Sequence, residues 1–260
     1  MTRRPPFHAG RWRTACLGAL LALPLYGHAD SQRLSDLWLE QPALPASPAY
    51  SYYLLARQQE PLQRQARRLR EELATLIDWY SLDGRTDLAR GLEAWQAGIA
   101  ESQTSPGRTS ARADLAALLA SPQHDPPLAS LAAAGYCDVP DWVELWHFGG
   151  VTRHRWSPGL SLRELLRQHP DSRWASAEEA WVIPPQGDPR RIGVAAWNAG
   201  DSPLMAGSRI ALVLPEPVQE ADWVNRTLPD FLATRLPGNA CHPIALPDGA
   251  GQTDSGGPAT

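Results

Sequence analysis

The order of strand and helix patterns between Asp141 and Pro215 constrains the fold of this chain more than any other feature. An apolar, aromatic-rich run from Trp142 to Val151 ends in a glycine pair, and a second strand-like piece follows it up to Trp156. Two such runs around a turn are typical of a pair of neighbouring strands. The segment therefore begins with a predicted strand pair.

A short helix is predicted after this strand pair. Ser157-Pro158-Gly159-Leu160 is a turn pattern, and Ser161 is followed three residues later by Glu164, the spacing of a capping box. Leucines at 162, 165 and 166 form one apolar stripe that can lie on a sheet. Three further strands are predicted at 180–184, 191–197 and 208–214, so the order is β-β-α-β-β-β and one small core can serve the whole segment.

This order resembles the SLBB type of β-grasp domain, with Pro158-Gly159 before the helix and the run Met205 to Val213 at the end. Outside the segment, the runs 33–37 and 49–56 and the tripeptide Ala196-Trp197-Asn198 are similar to the capsule biosynthesis GfcC family. The resemblance implies an α+β fold with a carboxy-terminal SLBB-like β-grasp domain and a helical amino-terminal region. It also implies a non-catalytic role in the assembly or export of capsule or another extracellular polysaccharide, through contact with the polymer, an outer-membrane export protein or both. An unrelated α+β domain with ordinary turns is the alternative.

The amino terminus has the pattern of a signal peptide. Four arginines precede an apolar run from Ala15 to Leu25, which is shorter than the roughly 20 residues that a membrane span needs. The small residues Gly27 and Ala29 predict cleavage between Ala29 and Asp30, and no leucine-led lipobox precedes Cys16. We therefore expect residues 1–29 to be removed on general secretion to the periplasm.

Charge and residue usage exclude several classes of protein. Loss of residues 1–29 removes four arginines and no acid, so the formal charge moves from −4 to −8. Such an acidic chain is a poor partner for nucleic acid or a polyanionic surface. The sequence contains no lysine, which excludes Schiff-base chemistry and makes every fixed cation a guanidinium.

Two cysteines remain after the predicted processing, Cys137 and Cys241. In an oxidising compartment an even pair is able to form a disulfide, which would tether the carboxy-terminal segment to the base of the β-grasp domain. Two separate thiols are the alternative.

Residues 30–136 are predicted to form a helical region. Apolar spacing indicates a long helix from about Glu60 to Trp79, a second helix capped by Thr86, and a third over 112–120. In the resembled family a first β-grasp unit is interrupted by helices. Here that unit is incomplete or is built from Tyr50 to Leu55 and the segment near Tyr136.

The remaining boundaries follow from the same patterns. The β-grasp domain is expected at 137–220, an amphipathic helix at 221–237 with Pro229 as a kink or restart, and a disordered tail at 246–260. In the helix, Arg226 and Arg235 are balanced by Asp222 and Asp230. Packing against its own domain or a partner protein is favoured over insertion into a membrane.

No recognised catalytic motif is found in the sequence. His147 and His154 lie on adjacent predicted strands and could share a metal with Glu144, but scattered histidines favour no metal and no cofactor. The predicted role is non-catalytic, with a polysaccharide-modifying enzyme and a purely structural adaptor of an exporter as the alternatives.

Tryptophan is the residue type that indicates a ligand. Seven tryptophans fall in or beside the β-grasp domain, at positions 142, 146, 156, 174, 181, 197 and 223. Flat aromatic faces suit sugar rings, although large aromatics also fill cores. The candidate polysaccharide contacts are Trp156 and Trp197, which border turns, together with Arg153 and Arg155.

Overall fold

The computed structural model describes residues 32–41, 47–168, 176–215 and 218–247. The predicted signal peptide with Ala29 and Asp30, residue Trp174 and nearly all of the predicted tail lie outside these ranges. The helices of the described part are α1 Leu34–Leu39, α2 Gln59–Leu82, α3 Thr86–Ser102, α4 Leu115–Ala120, α5 Leu162–Gln168 and α6 Gln219–Ala233. Its strands are β1 Ser51–Leu55, β2 Leu131–Cys137, β3 Trp142–His147, β4 Gly150–Arg155, β5 Glu179–Ile183, β6 Arg190–Gly193, β7 Arg209–Leu212 and β8 Cys241–Pro243.

Strands β3 to β7 form a five-stranded mixed sheet with the order β4-β3-β7-β5-β6. The hairpin β3-β4 and the hairpin β5-β6 are both antiparallel, and β7 lies between them, parallel to β3 and antiparallel to β5. With α5 between the two hairpins, this is the β-grasp arrangement. The α+β fold class and the β-β-α-β-β-β order expected from the sequence are confirmed.

One face of this sheet is covered by α5. Side chains from alternate positions of the strands pack with Leu162 and Leu165 of the helix, as the pleat of a strand requires. The amide of Glu164 donates to the hydroxyl of Ser161 at 3.3 Å, so the serine half of the predicted capping box is present.

The opposite face of the sheet is also buried, under α2, α3 and α6. Trp146, Ile183 and Ala211 of the sheet share a core with the leucine stripe of α2 and with α3. The Trp95 indole N–H donates to the carbonyl of His147 at 2.9 Å, at the turn of the first hairpin. Most of the sheet is therefore enclosed on both faces.

The smaller sheet has the order β1-β2-β8. Ser51 pairs with Tyr136, so the two segments proposed for the first unit do lie together, and helices α2 to α4 are inserted between them in the chain. A disulfide joins Cys137 to Cys241 across the β2-β8 pair. It links segments that are 104 residues apart.

Several predicted boundaries were wrong. Arg85, not Thr86, is the residue that precedes α3, and the third helix starts only at Leu115, where the Asp114 carboxylate accepts from the amide of Ala117. Helix α6 continues through Pro229 without a restart.

Strand β6 ends at Gly193 instead of reaching Trp197. The chain turns back at this point, and the amide of Gly200 donates to the carbonyl of Gly193 at 3.0 Å. A Cβ at Gly193 would lie 2.3 Å from the Asn198 carbonyl oxygen, so this close return requires glycine. Within the described residues, no helix is both long and apolar enough to cross a membrane.

Candidate functional site

A cleft of about 650 Å³ lies between α3, the β4 side of the five-stranded sheet and the carboxyl end of α6. Its lining includes Arg153, Arg209 and Arg235, with Glu144 and Glu101 as the lining acids. We call it the arginine cleft. Its volume falls within the roughly 300 to 1,000 Å³ of small-molecule sites.

The register of the sheet places three charged side chains in one row of the cleft. Arg153 on β4 is the cross-strand partner of Glu144 on β3, and Glu144 is in turn the partner of Arg209 on β7. Directly opposed residues project to the same face of a sheet. A carboxylate thus lies between two guanidinium groups.

Glu144 is 7% exposed and is held by three donors. The Nε atom of Arg153 donates to its Oε2 at 2.9 Å, the Trp146 indole N–H donates to its Oε1 at 2.9 Å, and Arg209 Nε lies 3.4 Å from Oε1. Burial alone raises the pKa of Glu144, but Arg209, Trp146 and Arg153 outweigh burial and hold that pKa below its usual value. The carboxylate is therefore charged at neutral pH, and both of its oxygens accept hydrogen bonds from the protein.

The indole of Trp142 forms the base of this row. The Arg153 guanidinium lies 4.5 Å from the ring centroid and that of Arg209 lies 5.7 Å from it. Such contacts favour a cation over an aromatic face. They fix the orientation of both arginines without neutralising either of them.

Two more buried arginines gather at the carboxyl end of α6. Arg108 is 2% exposed and donates through Nε to the carbonyl of Ala233 at 3.0 Å. Arg235 is 7% exposed and donates to the carbonyl of Ser102, but its Nε has no hydrogen-bond partner within the described part of the chain. Burial, with nearby Arg209 and Arg235, lowers the pKa of Arg108 to about 9, and burial with Arg209 lowers that of Arg235 to about 10.

A second depression of about 460 Å³ adjoins the arginine cleft. It is lined by Arg67 and Arg70 of α2 and shares Thr104, Ser105 and Arg235 with the cleft. The cationic lining thus extends from the β4 edge of the sheet to the surface of α2.

The candidate residues from the sequence do not form one site. Arg153 lines the arginine cleft, whereas Arg155, two residues further along β4, is exposed and is not part of the lining. Trp156 is half-buried, and its indole N–H donates to the Leu204 carbonyl at 2.7 Å. Trp197 is 76% exposed and follows β6, the strand at the far edge of the sheet from β4.

Sequence reasoning missed the other arginines of the cleft. Arg235 was expected to be a balanced surface charge of the last helix; Arg226 does pair with Asp222 at 2.7 Å, but Arg235 is buried. The position of Arg209 could have been recognised from the sequence as a candidate site residue, because it is a charged residue in a strand that is otherwise apolar. Arg108, in a polar loop, carried no such signal.

The alternative of a metal shared by His147, His154 and Glu144 is not supported. By strand alternation both histidines face away from the side of the sheet on which Glu144 lies. The carboxylate of Glu144 is also occupied by arginines. The described residues contain no group of three or more side chains of the metal-binding types.

The fold and the site together define a β-grasp protein with helices inserted in a second small sheet and with an arginine-lined cleft. Residues 151–237 match the family model described as capsule biosynthesis GfcC C-terminal. The resemblance to the GfcC family is therefore confirmed over this segment, which includes Arg153, Arg209 and Arg235, and it implies a role in capsule biosynthesis. No curated protein matches the chain.

Proposed function

We propose that this protein is a non-catalytic periplasmic factor that contacts a capsular polysaccharide or exopolysaccharide through the arginine cleft during assembly or export. The observation that carries the proposal is the cleft itself, where three guanidinium groups line a cavity large enough for a few sugar units. Guanidinium groups are rigid multiple donors, which suits the hydroxyl and acidic groups of a glycan. The match to a capsule biosynthesis family supports a glycan over other ligands.

The chemistry of the cleft favours binding over cleavage of a glycan. Glycoside hydrolysis needs two carboxyl groups, one of them able to donate a proton at the working pH. Glu144 has a lowered pKa and is bound by two arginines, and the other acid of the lining, Glu101, is exposed on α3. The lowered pKa of Glu144 is the opposite of the raised pKa that a general acid requires.

Trp197 is a second proposed contact for the polymer. Its indole is largely exposed, whereas Trp142 and Trp146 are buried and closed off by the arginines and by α3. An exposed indole offers a flat apolar face to the C–H side of a sugar ring. Because Trp197 lies beyond the β6 edge, it would contact a different part of the polysaccharide from the part that the arginine cleft contacts. An outer-membrane export protein is the proposed protein partner.

Deletion of the gene in the source bacterium tests the proposed function. We expect polysaccharide to be lost from the cell surface and retained in the periplasmic extract, and the wild-type gene to restore export. Unchanged polymer in both fractions would refute the proposal. Normal export with altered chain length would favour a modifying enzyme, and binding to the exporter without any binding to glycan would favour a structural adaptor.

A further inference from the structure

We propose that the arginine cleft is selective for a carboxylate substituent of an acidic polysaccharide, with Arg153 as the direct donor and Arg209 and Arg235 as the positive charge behind it. This inference rests on the proposed function and specifies the class of polymer. The observation behind it is that the cleft contains more guanidinium groups than the protein's own carboxylates neutralise.

The lining of the cleft holds more positive than negative charge. Its three guanidinium groups face two carboxylates, of which Glu101 is exposed to water. Arg108 lies behind this lining, so close to Arg209 and Arg235 that their positive charges help to lower the pKa of Arg108. In a chain whose predicted mature form is acidic, this local excess of cations is a property of the site and not of the overall composition.

The partial negative charge at the carboxyl end of α6 offsets part of this positive excess. Arg108 donates to the Ala233 carbonyl, one of the partly negative groups at the end of this helix. A helix end is equivalent to roughly half a negative charge. Glu144 and the helix end together offset fewer than two of the four positive charges, which are those of Arg108, Arg153, Arg209 and Arg235. The remaining positive charge is buried or half-buried, where water compensates it poorly.

The donors that remain free point to the kind of ligand that fits. Arg153 gives only its Nε to Glu144, its side chain is 49% exposed, and no other acceptor bonds it among the described residues. Its two terminal nitrogens are therefore available at the cleft. Arg235 is nearly fully buried, yet it has no carboxylate partner in the described part of the chain. A planar guanidinium pairs best with a planar carboxylate through two parallel hydrogen bonds.

A disulfide and a hydrogen bond hold one wall of the cleft, which favours a preformed site. Gly238 and Asn239 line this wall just before Cys241, whose disulfide with Cys137 anchors the loop to β2. The hydrogen bond from Arg209 to the Leu236 carbonyl, at 2.9 Å, fixes the start of the same loop. Preorganised donors lose less entropy on binding than mobile ones do.

The test uses the secreted, disulfide-bonded protein and polysaccharide isolated from the source bacterium. Calorimetric titration compares the native polymer with a carboxyl-reduced form, in which each uronic acid becomes a neutral sugar, and with a dephosphorylated form. We expect carboxyl reduction to weaken binding by about tenfold or more, since charge-assisted hydrogen bonds are lost. Dephosphorylation should leave binding unchanged.

Protein variants locate the effect in the cleft. Arg153→Gln should weaken binding of the native polymer by about tenfold while leaving binding of the reduced polymer unchanged. Arg226→Gln is the matched control, because Arg226 is an exposed arginine on α6 outside the cleft lining. Its binding should equal that of the wild type. Arg235→Gln is a second variant, and its circular dichroism spectrum and melting temperature report whether it is folded.

The outcomes separate the two proposals. A polymer without carboxylates, equal binding of the native and reduced forms, or loss of binding only on dephosphorylation would each overturn the carboxylate inference. These results would leave a role in export intact. If the protein bound neither form of the polymer, the polymer contact in the proposed function would fail as well.

Discussion

Glu144 and Arg209 face each other across the parallel pair of strands at the centre of the β-grasp sheet, with Arg209 Nε 3.4 Å from the Glu144 Oε1 atom. Both side chains are almost fully enclosed, at 9% and 11% exposure. Taking two charges out of water is costly, and their attraction offsets this cost only when each retains its partner. The pair is therefore sensitive to the loss of one member.

We expect Glu144→Gln to destabilise the fold at neutral pH by about 3 kcal/mol, because it leaves Arg209 buried without a carboxylate. Replacing both residues by methionine should cost less than the single change, since no uncompensated charge remains. Urea denaturation of the two variants and the wild type measures both free energies of unfolding. A double variant less stable than Glu144→Gln would contradict this explanation.

The same pair predicts how stability depends on pH. The pKa of Glu144 is lower in the folded protein than in the unfolded chain, where it is about 4.3. The stabilisation is therefore present above about pH 4.3 and is lost as the pH falls through the folded pKa. The difference in unfolding free energy between wild type and Glu144→Gln should be constant above about pH 5 and shrink below about pH 4. A difference that grew on acidification would refute the assignment.

Removal of the disulfide should lower stability substantially. The bond closes a loop of 104 residues, for which the chain-entropy model gives about 4 to 5 kcal/mol. We expect the Cys137→Ser, Cys241→Ser double variant to melt at a clearly lower temperature than the oxidised wild type. The reduced wild type should match the variant. A reduced protein as stable as the oxidised one would show that the bond does not constrain the unfolded chain.

Close contact between α3 and the first hairpin of the sheet predicts an unusual effect at Gly91. A Cβ there would lie 1.9 Å from the Phe148 carbonyl oxygen, which is backbone and cannot rotate away. Alanine improves helix propensity by about 1 kcal/mol, yet we expect Gly91→Ala to be destabilising. The control is Ala97→Gly at an exposed position of the same helix, with an expected loss of about 1 kcal/mol. Thermal melts of both variants check the prediction.

The two candidate tryptophans should differ in their contributions to stability. Trp156 packs against two cores and donates its N–H to Leu204, so Trp156→Ala should cost about 3 kcal/mol or more. Trp197→Ala should change stability by less than about 0.5 kcal/mol, because the side chain is exposed. Chemical denaturation measures stability, and titration with the isolated polymer tests for weaker binding by the folded Trp197 variant. Unchanged binding would remove Trp197 from the proposed contacts.

The β-grasp arrangement followed from local sequence patterns. The glycine pair after Phe148, the Ser161 to Glu164 spacing and the leucine stripe of α5 each specify a turn, a helix start or a buried face within a few residues. The pairing of the strands near Tyr50 and Tyr136, which three helices separate in the chain, was one of two alternatives that the sequence left open. Boundaries were less accurate at Gly193 and Pro229, because contacts distant in the chain decided where the strand ended and whether the helix continued.

The arginine cleft, by contrast, was decided by tertiary structure. Sequence alone established that every fixed cation is an arginine and that Arg153 lies on a strand, since these follow from composition and alternation. It could not place Arg153, Glu144 and Arg209 in one row, because that row depends on the register of three strands. Nor could it bring Arg108 and Arg235 together, because residues 127 positions apart meet only once α6 packs onto the sheet. Local propensity acts over a few residues, whereas a site with buried charge depends on which distant segments exclude water together.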